Sequence, residues 1–300
     1  MDRIGVMRLF VRIVERGSFA QAARDLQVPR PTATHAIQRL EADLGTRLLE
    51  RTTRSVRPTR DGALYRERCI RLLADLDEVE NAFRKSAPRG PLRVDMQGTL
   101  ARFFVVPALP EFIARYPGIA LNLSEGDRMV DLITEGVDCV LRAGELSDSS
   151  LTGRRIAVLP QLTLASPRYL ERFGVPGSPA ELAGHRMVAY ASSSTGQPYP
   201  LEFVTDERRW EVPLAHDVVV RGAEIYTACG LAGLGLIQVP RYRVQHQLAA
   251  GQLVPVLEDF APPTMEVSVL HPESRHIASR VRVFIDWLAH LFRKLEARDR

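Results

Sequence analysis

The chain of 300 residues is poor in lysine, cysteine and tryptophan. Only Lys85 and Lys294 are lysines, so its 40 basic side chains are almost all arginine. The three cysteines, Cys69, Cys139 and Cys229, lie too far apart for a disulfide framework or a zinc cluster, and the seven histidines show no metal-ligand spacing. The expectation is therefore a chain without metal or cofactor, in a reducing cytoplasm. Each cysteine reads first as a small buried hydrophobe, with redox sensing as the alternative. Long apolar runs are also missing. The N-terminus carries Asp2, Arg3, Arg8 and Arg12, which argues against a signal peptide, a membrane anchor or a membrane partner. Catalytic signatures are missing too. Ser192-Ser193-Ser194-Thr195-Gly196 is not a nucleophile elbow and has no assignable histidine and acid. Gly230-x-x-Gly233-x-Gly235 reverses the order of a dinucleotide fingerprint and reads as a helix end feeding a strand. The expectation is that the chain is not an enzyme.

What is present is concentrated at one end. Residues 1–60 hold twelve arginines against six acids, whereas residues 61–300 hold 28 basic side chains against 30 acidic ones. A positive N-terminal segment on a nearly neutral body suits an anionic partner. Within it, Ser18 and Gln21 form a capping box ahead of a short helix with Ala20, Ala22, Ala23 and Leu26. Val28-Pro29-Arg30-Pro31 breaks that helix, and Pro31 is tolerated in the first turn of the next. There Ala33, Ile37, Leu40 and Leu44 recur at helical spacing as a buried face. The opposite face presents Arg30, Pro31, Thr32, Thr34, His35, Gln38 and Arg39, which suit contacts with base edges and phosphates. The bland reading is a solvated amphipathic helix. Against it stand Arg47, Arg51, Arg54, Arg57 and Arg60 with Thr53, a cationic run able to follow a phosphate backbone. The predicted unit is a winged helix-turn-helix binding double-stranded DNA.

These residues resemble the DNA-binding domain of the LysR-type transcriptional regulators. The resemblance runs from Leu9, Phe10, Ile13 and Val14 through Gly17-Ser18-Phe19, Ala22-Ala23-Leu26 and Ile37-Gln38-Arg39-Leu40-Glu41. It continues in Leu44-Gly45-Thr46-Arg47-Leu48-Leu49, Arg51-Thr52-Thr53, Thr59 and Gly62. Pro29 replaces the usual Ser or Thr cap of the recognition helix, and Arg30, Thr34 and His35 also depart from the common pattern. These departures bear on base preference.

Thr59 is placed to cap a helix running to about Lys85. Along it Tyr65, Cys69, Leu72, Leu76, Val79 and Phe83 form a heptad seam. Such a stripe on a lone helix pairs most readily with its twin, and the resemblance implies a dimer-forming linker helix. Ser86–Pro91 reads as a hinge.

Beyond it strands and helices alternate: strand 92–96, helix 101–116, strand 119–123, helix 129–135, strand 137–142, strand 217–220, helix 223–231, strand 234–239 and a last helix about 277–294. The last helix directs Val281, Phe284, Ile285, Leu288 and Leu291 or Phe292 inward. Alternation of this kind predicts an α/β fold with a parallel sheet. Pro107-Ala108-Leu109, Phe112, Tyr116-Pro117, Gly136-Val137-Asp138 and Gly230–Leu236 resemble the LysR-family effector domain. That resemblance implies a periplasmic-binding-protein-like architecture of two subdomains. The domains expected are 1–60 for DNA binding, 61–90 for the linker helix and hinge, and 91–300 for the effector. Subdomain I spans about 91–163 and 268–300, and subdomain II about 164–267.

A small effector would lie between the subdomains. Candidate contacts are Gln97, Gly98, Thr99 and Leu100 at a helix start, Arg142 and Gly144 after a strand, Gly222, Ala223 and Glu224 at another helix start, and Ser194 in a loop. Each has a structural alternative: Thr99 as a cap, Arg142 as the partner of a nearby acid. Glu224 would repel an anion. The function read from the sequence is an effector-modulated, DNA-binding transcriptional regulator. The resemblance implies a homodimer or homotetramer on an inverted repeat, with RNA polymerase as a further partner of an activator. The alternatives are a ligand-independent DNA-binding regulator, and a small-molecule binding protein or enzyme with an incidental basic N-terminus.

Overall fold

In the computed structural model the chain divides into two compact units, Met1–Pro91 and Leu92–Arg300. The structure describes all residues except 52–55, 83–86, 127–135, 145–150, 194, 206–207, 273–276 and 297–300; the side chains of 51, 77–82, 151–152 and 295–296 are likewise outside it. The predicted helix over 129–135 falls among the residues not described.

The first unit contains α1 (Arg3–Arg16), α2 (Phe19–Asp25), α3 (Arg30–Leu44), the strands β1 (Leu49–Arg51) and β2 (Val56–Pro58), and α4 (Arg60–Ala82). Ser18 caps α2 by accepting the Gln21 N–H, and Thr59 caps α4 by accepting the Gly62 N–H at 2.9 Å. Helix α3 begins at Arg30 with Pro29 as its N-cap and no side-chain cap bond. Leu9, Phe10, Ile13, Phe19, Ala22, Ala23, Ala33, Ile37, Leu40, Leu48 and Leu49 make one core. Leu44 does not join it; the helix ends there at Gly45, in the left-handed region with φ 68°, and Leu44 is exposed. Strands β1 and β2 form an antiparallel wing, with Glu50 opposite Arg57.

Gly62 sits where a helix normally prefers alanine. A Cβ there would lie 1.9 Å from the Leu48 carbonyl oxygen, so α4 can cross the start of the wing only with glycine. The heptad seam is used differently from the expectation. The Tyr65 ring packs edge-on against Phe10 at 5.3 Å, and Cys69 is buried, so both serve their own unit. Among the described side chains of α4, Leu64 and Leu72 are exposed large apolar residues and Leu76 is half-buried. Phe83 and the Val79 side chain lie outside the described residues.

The second unit opens with β3 (Gly90–Met96), α5 (Gly98–Leu100), a π-helical turn (Ala101–Val105) and α6 (Val106–Arg115). The helix predicted from 101 therefore starts three residues earlier and is widened in its middle. In the π turn the Val106 N–H bonds to the Ala101 oxygen, five residues back. Pro107 and Pro110 have no N–H to continue the ordinary four-residue ladder, which accounts for the local irregularity. Strands β4 (Ile119–Glu125), β5 (Cys139–Ala143) and β6 (Leu151–Leu159) follow.

The chain then enters a second sheet with β7 (Gln161–Ala165), continues through α7 (Pro167–Phe173), β8 (Ala189–Tyr190), β9 (Leu201–Thr205), β10 (Arg208–Val212), β11 (Val219–Val220), α8 (Ala223–Leu231), β12 (Ile237–Pro240), α9 (Gln245–Ala249) and β13 (Val254–Pro255), and returns with β14 (Met265–Pro272) and α10 (Ser279–Glu296).

The first sheet has the order β4-β3-β5-β14-β6. It is mixed: β3 and β5 are parallel, whereas β14 runs antiparallel to both its neighbours. A strand re-entering from the second lobe arrives from the opposite end, which explains the departure from an all-parallel sheet. In the second lobe β7 lies between β12 and β13, both antiparallel to it, while β8 and β11 are parallel. A bridge between Met187 and Leu236 links these two sets, and Gly235 makes it possible. A Cβ at Gly235 would stand 2.5 Å from the Met187 carbonyl carbon.

Sheet membership places the crossovers at Pro160 and within 256–264, a few residues before the positions near 163 and 267 expected from sequence. Strand β6 was not anticipated. Along α10, Phe292 is buried and Leu291 only partly so; Trp287, not anticipated, joins Phe112 and Phe284 in an aromatic cluster.

Candidate nucleic-acid interface and effector cleft

The frame holding α3 is polar as well as apolar. Asp25, at the end of α2, takes the Arg16 guanidinium at 2.7 Å. Glu41 on α3 accepts the N–H groups of Leu48 and Leu49 at 2.8 and 3.0 Å, fixing the entry to the wing. Thr46 donates to Asp61 at 2.8 Å, and the Thr59 hydroxyl donates to the Arg47 carbonyl at 2.7 Å. Sequence reasoning assigned no such role to Glu41, Thr46 or Asp61, because each acts on a backbone or side chain that only the fold brings near.

On the opposite side of α3, Arg30, Pro31, Thr32, His35, Gln38 and Arg39 are exposed and Thr34 is half-buried. Arg30, Pro31, Thr34, His35 and Gln38 line one open depression. Proline, the 34/35 pair and Gln38 follow the spacing of one helical face. Arg30, His35, Gln38 and Arg39 carry no hydrogen bond or ion pair among the described residues. On the wing Arg57 is exposed. Thr53, Arg54 and the Arg51 side chain lie outside the described residues. This surface offers unspent donors on a helix of the width a major groove admits.

The second candidate site gathers where the two lobes of the second unit meet. Gln97 follows β3 as the N-cap of α5, and its N–H donates to the Leu141 oxygen. Thr99 and Leu100 are buried. The Thr99 hydroxyl accepts from the Tyr242 phenol at 3.0 Å, a bond from one lobe to the other. One turn along, Arg102 reaches Glu224 on α8 at 3.1 Å. Glu224 is thus paired across the cleft, and its charge does not stand alone. Gly222 is the N-cap of α8 and Ala223 its buried first residue. Gly144 has φ 107° and donates its N–H to Glu266. Ser194 is outside the described residues.

Arg142 departs from the expectation that it offers a cation to a ligand. Its side chain is buried and pairs with Asp95, which also accepts the Ser124 hydroxyl at 2.6 Å. A buried charge needs its counter-ion, and Arg142 serves the sheet interior. Residues not foreseen are Arg102, Tyr242 and Arg243. The available signal was Arg241-Tyr242-Arg243, a cationic and aromatic triplet directly after a strand.

Two of the three cysteines are buried in quiet surroundings. Burial pushes the thiols of Cys69 and Cys139 up, away from the reactive thiolate. Tyr65 is held up at about 12, first by burial and then by Cys69. Among the described residues no group of His, Cys, Asp and Glu is arranged to hold a metal ion. No described helix is long and apolar enough to cross a membrane.

Residues 4–63 match the family model described as a bacterial regulatory helix-turn-helix protein of the lysR family, and residues 85–293 match the LysR substrate binding domain. The chain belongs to the LysR family of transcriptional regulators. Among its relatives is the uncharacterized regulator YhjC of Escherichia coli, 37% identical over 296 residues that cover 98% of this chain and 99% of the relative. The transcriptional repressor PA14_22550 of Pseudomonas aeruginosa is 36% identical over 97% of this chain and 93% of its own. The solved structure of CrgA, a LysR-type regulator of Neisseria meningitidis, matches with a TM-score of 0.58 and 30% identity, covering 96% of this chain and 98% of that one. As a LysR-type regulator the chain joins a DNA-binding unit to an effector-binding unit, in agreement with the architecture above.

Proposed function

We propose that two copies of this LysR-type regulator, paired along α4, read an inverted repeat with α3 in successive major grooves and the wing on the backbone. The observation that carries this reading is the face of α3 on which Arg30, His35, Gln38 and Arg39 stand exposed and unpartnered among the described residues. Arg30 and Gln38 supply the base contacts, Thr32, Thr34 and Arg39 flank them, and Arg51, Thr53, Arg54 and Arg57 follow the phosphates. The α4 pairing uses Leu64, Leu72 and Leu76, with Val79 and Phe83 further along, and leaves Tyr65 and Cys69 to hold α4 on its own unit. Two such pairs make the homotetramer.

Selection of bound sequences from a randomised duplex library tests this directly. The expected product is an inverted repeat whose half-sites lie one helical turn, about 34 Å, apart or a multiple of it. Leu72→Asp should abolish binding to that repeat by separating the dimer. Enrichment of single half-sites, or full binding by the variant, would contradict the pairing.

The effector site in this reading is the cleft between the lobes, bordered by Gln97–Leu100, Gly144 and Gly222–Glu224. Its action requires unequal affinity for two arrangements of the oligomer. The Pseudomonas relative bears the name of a repressor; an activating complex would in addition touch RNA polymerase. No catalytic step enters this account, and the cytoplasm is the compartment it implies.

A further inference from the structure

We propose that β10 is a self-association edge: two copies of this chain join their second units by antiparallel pairing of β10 with β10, centred on Trp210. The proposal does not rest on the α4 pairing above, and its test is read without DNA.

The chain has two tryptophans. Trp287 lies in the core at 7% exposure, whereas Trp210 is 51% exposed in the middle of β10, among exposed Arg208, Arg209 and Glu211. Strand β10 pairs with β9, and its far edge has no strand beside it among the described residues. An edge that carries a large aromatic is a template for a strand of another chain.

Which peptide groups face that edge follows from β9. The Val204 N–H donates to the Ala261 oxygen at 2.9 Å. The Glu202 N–H donates to Gln238 Oε1 at 2.9 Å, and the Glu202 oxygen accepts from Gln238 Nε2 at 2.8 Å. Residues 202 and 204 therefore turn their peptide groups away from β10. In an antiparallel ladder the residues opposite them turn theirs outward on the other side. Those residues are Glu211 and Arg209. A second β10 bonds this edge by laying its own residues 209 and 211 against them. Three registers meet that condition: Arg209 on Arg209, Glu211 on Glu211, or Arg209 on Glu211. The first two set like charges face to face, whereas the third makes two opposite-charge pairs and sets Trp210 against its twin. The third also overlaps the whole strand, with Arg208 opposite Val212.

In that register the tryptophans form a pair without ladder bonds, where Cα atoms approach to about 4.5 Å and the two indoles pack. The charges agree. Within one chain Glu211 lies opposite Glu202, whose carboxylate is held by Arg209 at 2.5 Å. Glu211 has no ion pair among the described residues, and Arg209 of the partner subunit brings it a cation. Five residues a side make a small contact, so this edge joins copies already gathered in one assembly.

Single cysteine exchanges in the full-length chain read the register. Under mild oxidation Trp210→Cys should give a covalent dimer on a non-reducing gel, because a disulfide spans Cα atoms about 4.4–6.8 Å apart. Arg208→Cys is likewise exposed, but its twins stand four steps apart along the strand, about 14 Å, and should stay uncrosslinked. Peptide mapping checks that the bond joins the introduced thiols and not Cys69, Cys139 or Cys229. In the Trp210→Cys background, Glu211→Arg should lower the yield about tenfold by setting arginine against arginine, and adding Arg209→Glu should restore it. Thermal melting checks that each variant folds. No covalent dimer from Trp210→Cys, or equal yields from Trp210→Cys and Arg208→Cys, overturns the proposal. So does a yield that Glu211→Arg leaves unchanged, or one that the charge swap fails to rescue.

Discussion

The reading face of α3 and the cleft of the second unit use the same side chain in opposite ways. On α3 Arg30 and Arg39 are exposed and unpartnered among the described residues, and on the wing Arg57 is exposed. In the cleft Arg102 is tied to Glu224, and Tyr242 is tied to Thr99. A surface that meets a polyanion gains from free cations, because each phosphate neutralised releases counter-ions. A cleft between two lobes gains from partners already in place, because its unliganded arrangement is then defined. Arg243 donates to the Ala223 carbonyl and the Thr227 hydroxyl, with Glu224 close enough to act on its charge.

The contrast holds only while the frame behind α3 stays rigid, and Gly62 is where that frame breaks most easily. Gly62→Ala drives a methyl into the Leu48 carbonyl, 1.9 Å from an ideal Cβ. Overpacking against backbone should cost about 3 kcal/mol. Denaturant unfolding of the first unit measures it; a neutral or stabilising change, as helix propensity alone would give, would remove the close crossing.

A smaller effect sharpens the other side of the comparison. In the second lobe the buried His185 imidazole lies 3.0 Å from the Tyr169 hydroxyl, and burial lowers its pKa below the usual 6.5. The unfolded chain therefore binds the proton more readily as pH falls through 6.5, and stability of the second unit drops on acidification. His185→Gln should flatten that dependence between wild type and variant melting curves, while leaving the first unit unaffected. An unchanged slope would assign the acid sensitivity elsewhere.

The smallest effect concerns a single wing contact. Arg57→Ala should reduce the slope of log affinity against log salt by about one unit, with sequence preference retained. An unaltered slope would take Arg57 off the phosphate backbone.

Local chemistry was legible in the sequence. The caps at Ser18 and Thr59, the break at Pro29 and helix 223–231 follow from side chains acting on their own neighbourhood. The family pattern added the order of the two units. Non-local facts were not legible. Strand β6 carries Arg154 and Arg155 where apolar alternation would mark a strand, and only pairing with β14 reveals it. Tyr65 and Cys69 fit a heptad by spacing, yet Phe10 of α1 takes the Tyr65 ring and Cys69 is buried. Arg142 looked like a ligand group because Asp95, 47 residues away, was not visible as its partner. Arg102 and Glu224 meet across 122 residues for the same reason.

The central claim is that the exposed edge of α3 reads base sequence. Library selection with the wild type and with Arg30→Ala tests it most directly. The account predicts that the variant loses discrimination at one position of each half-site, by about 1–3 kcal/mol, while the remaining positions keep their preference. A uniform loss of affinity across all sequences would contradict it and make Arg30 a backbone contact.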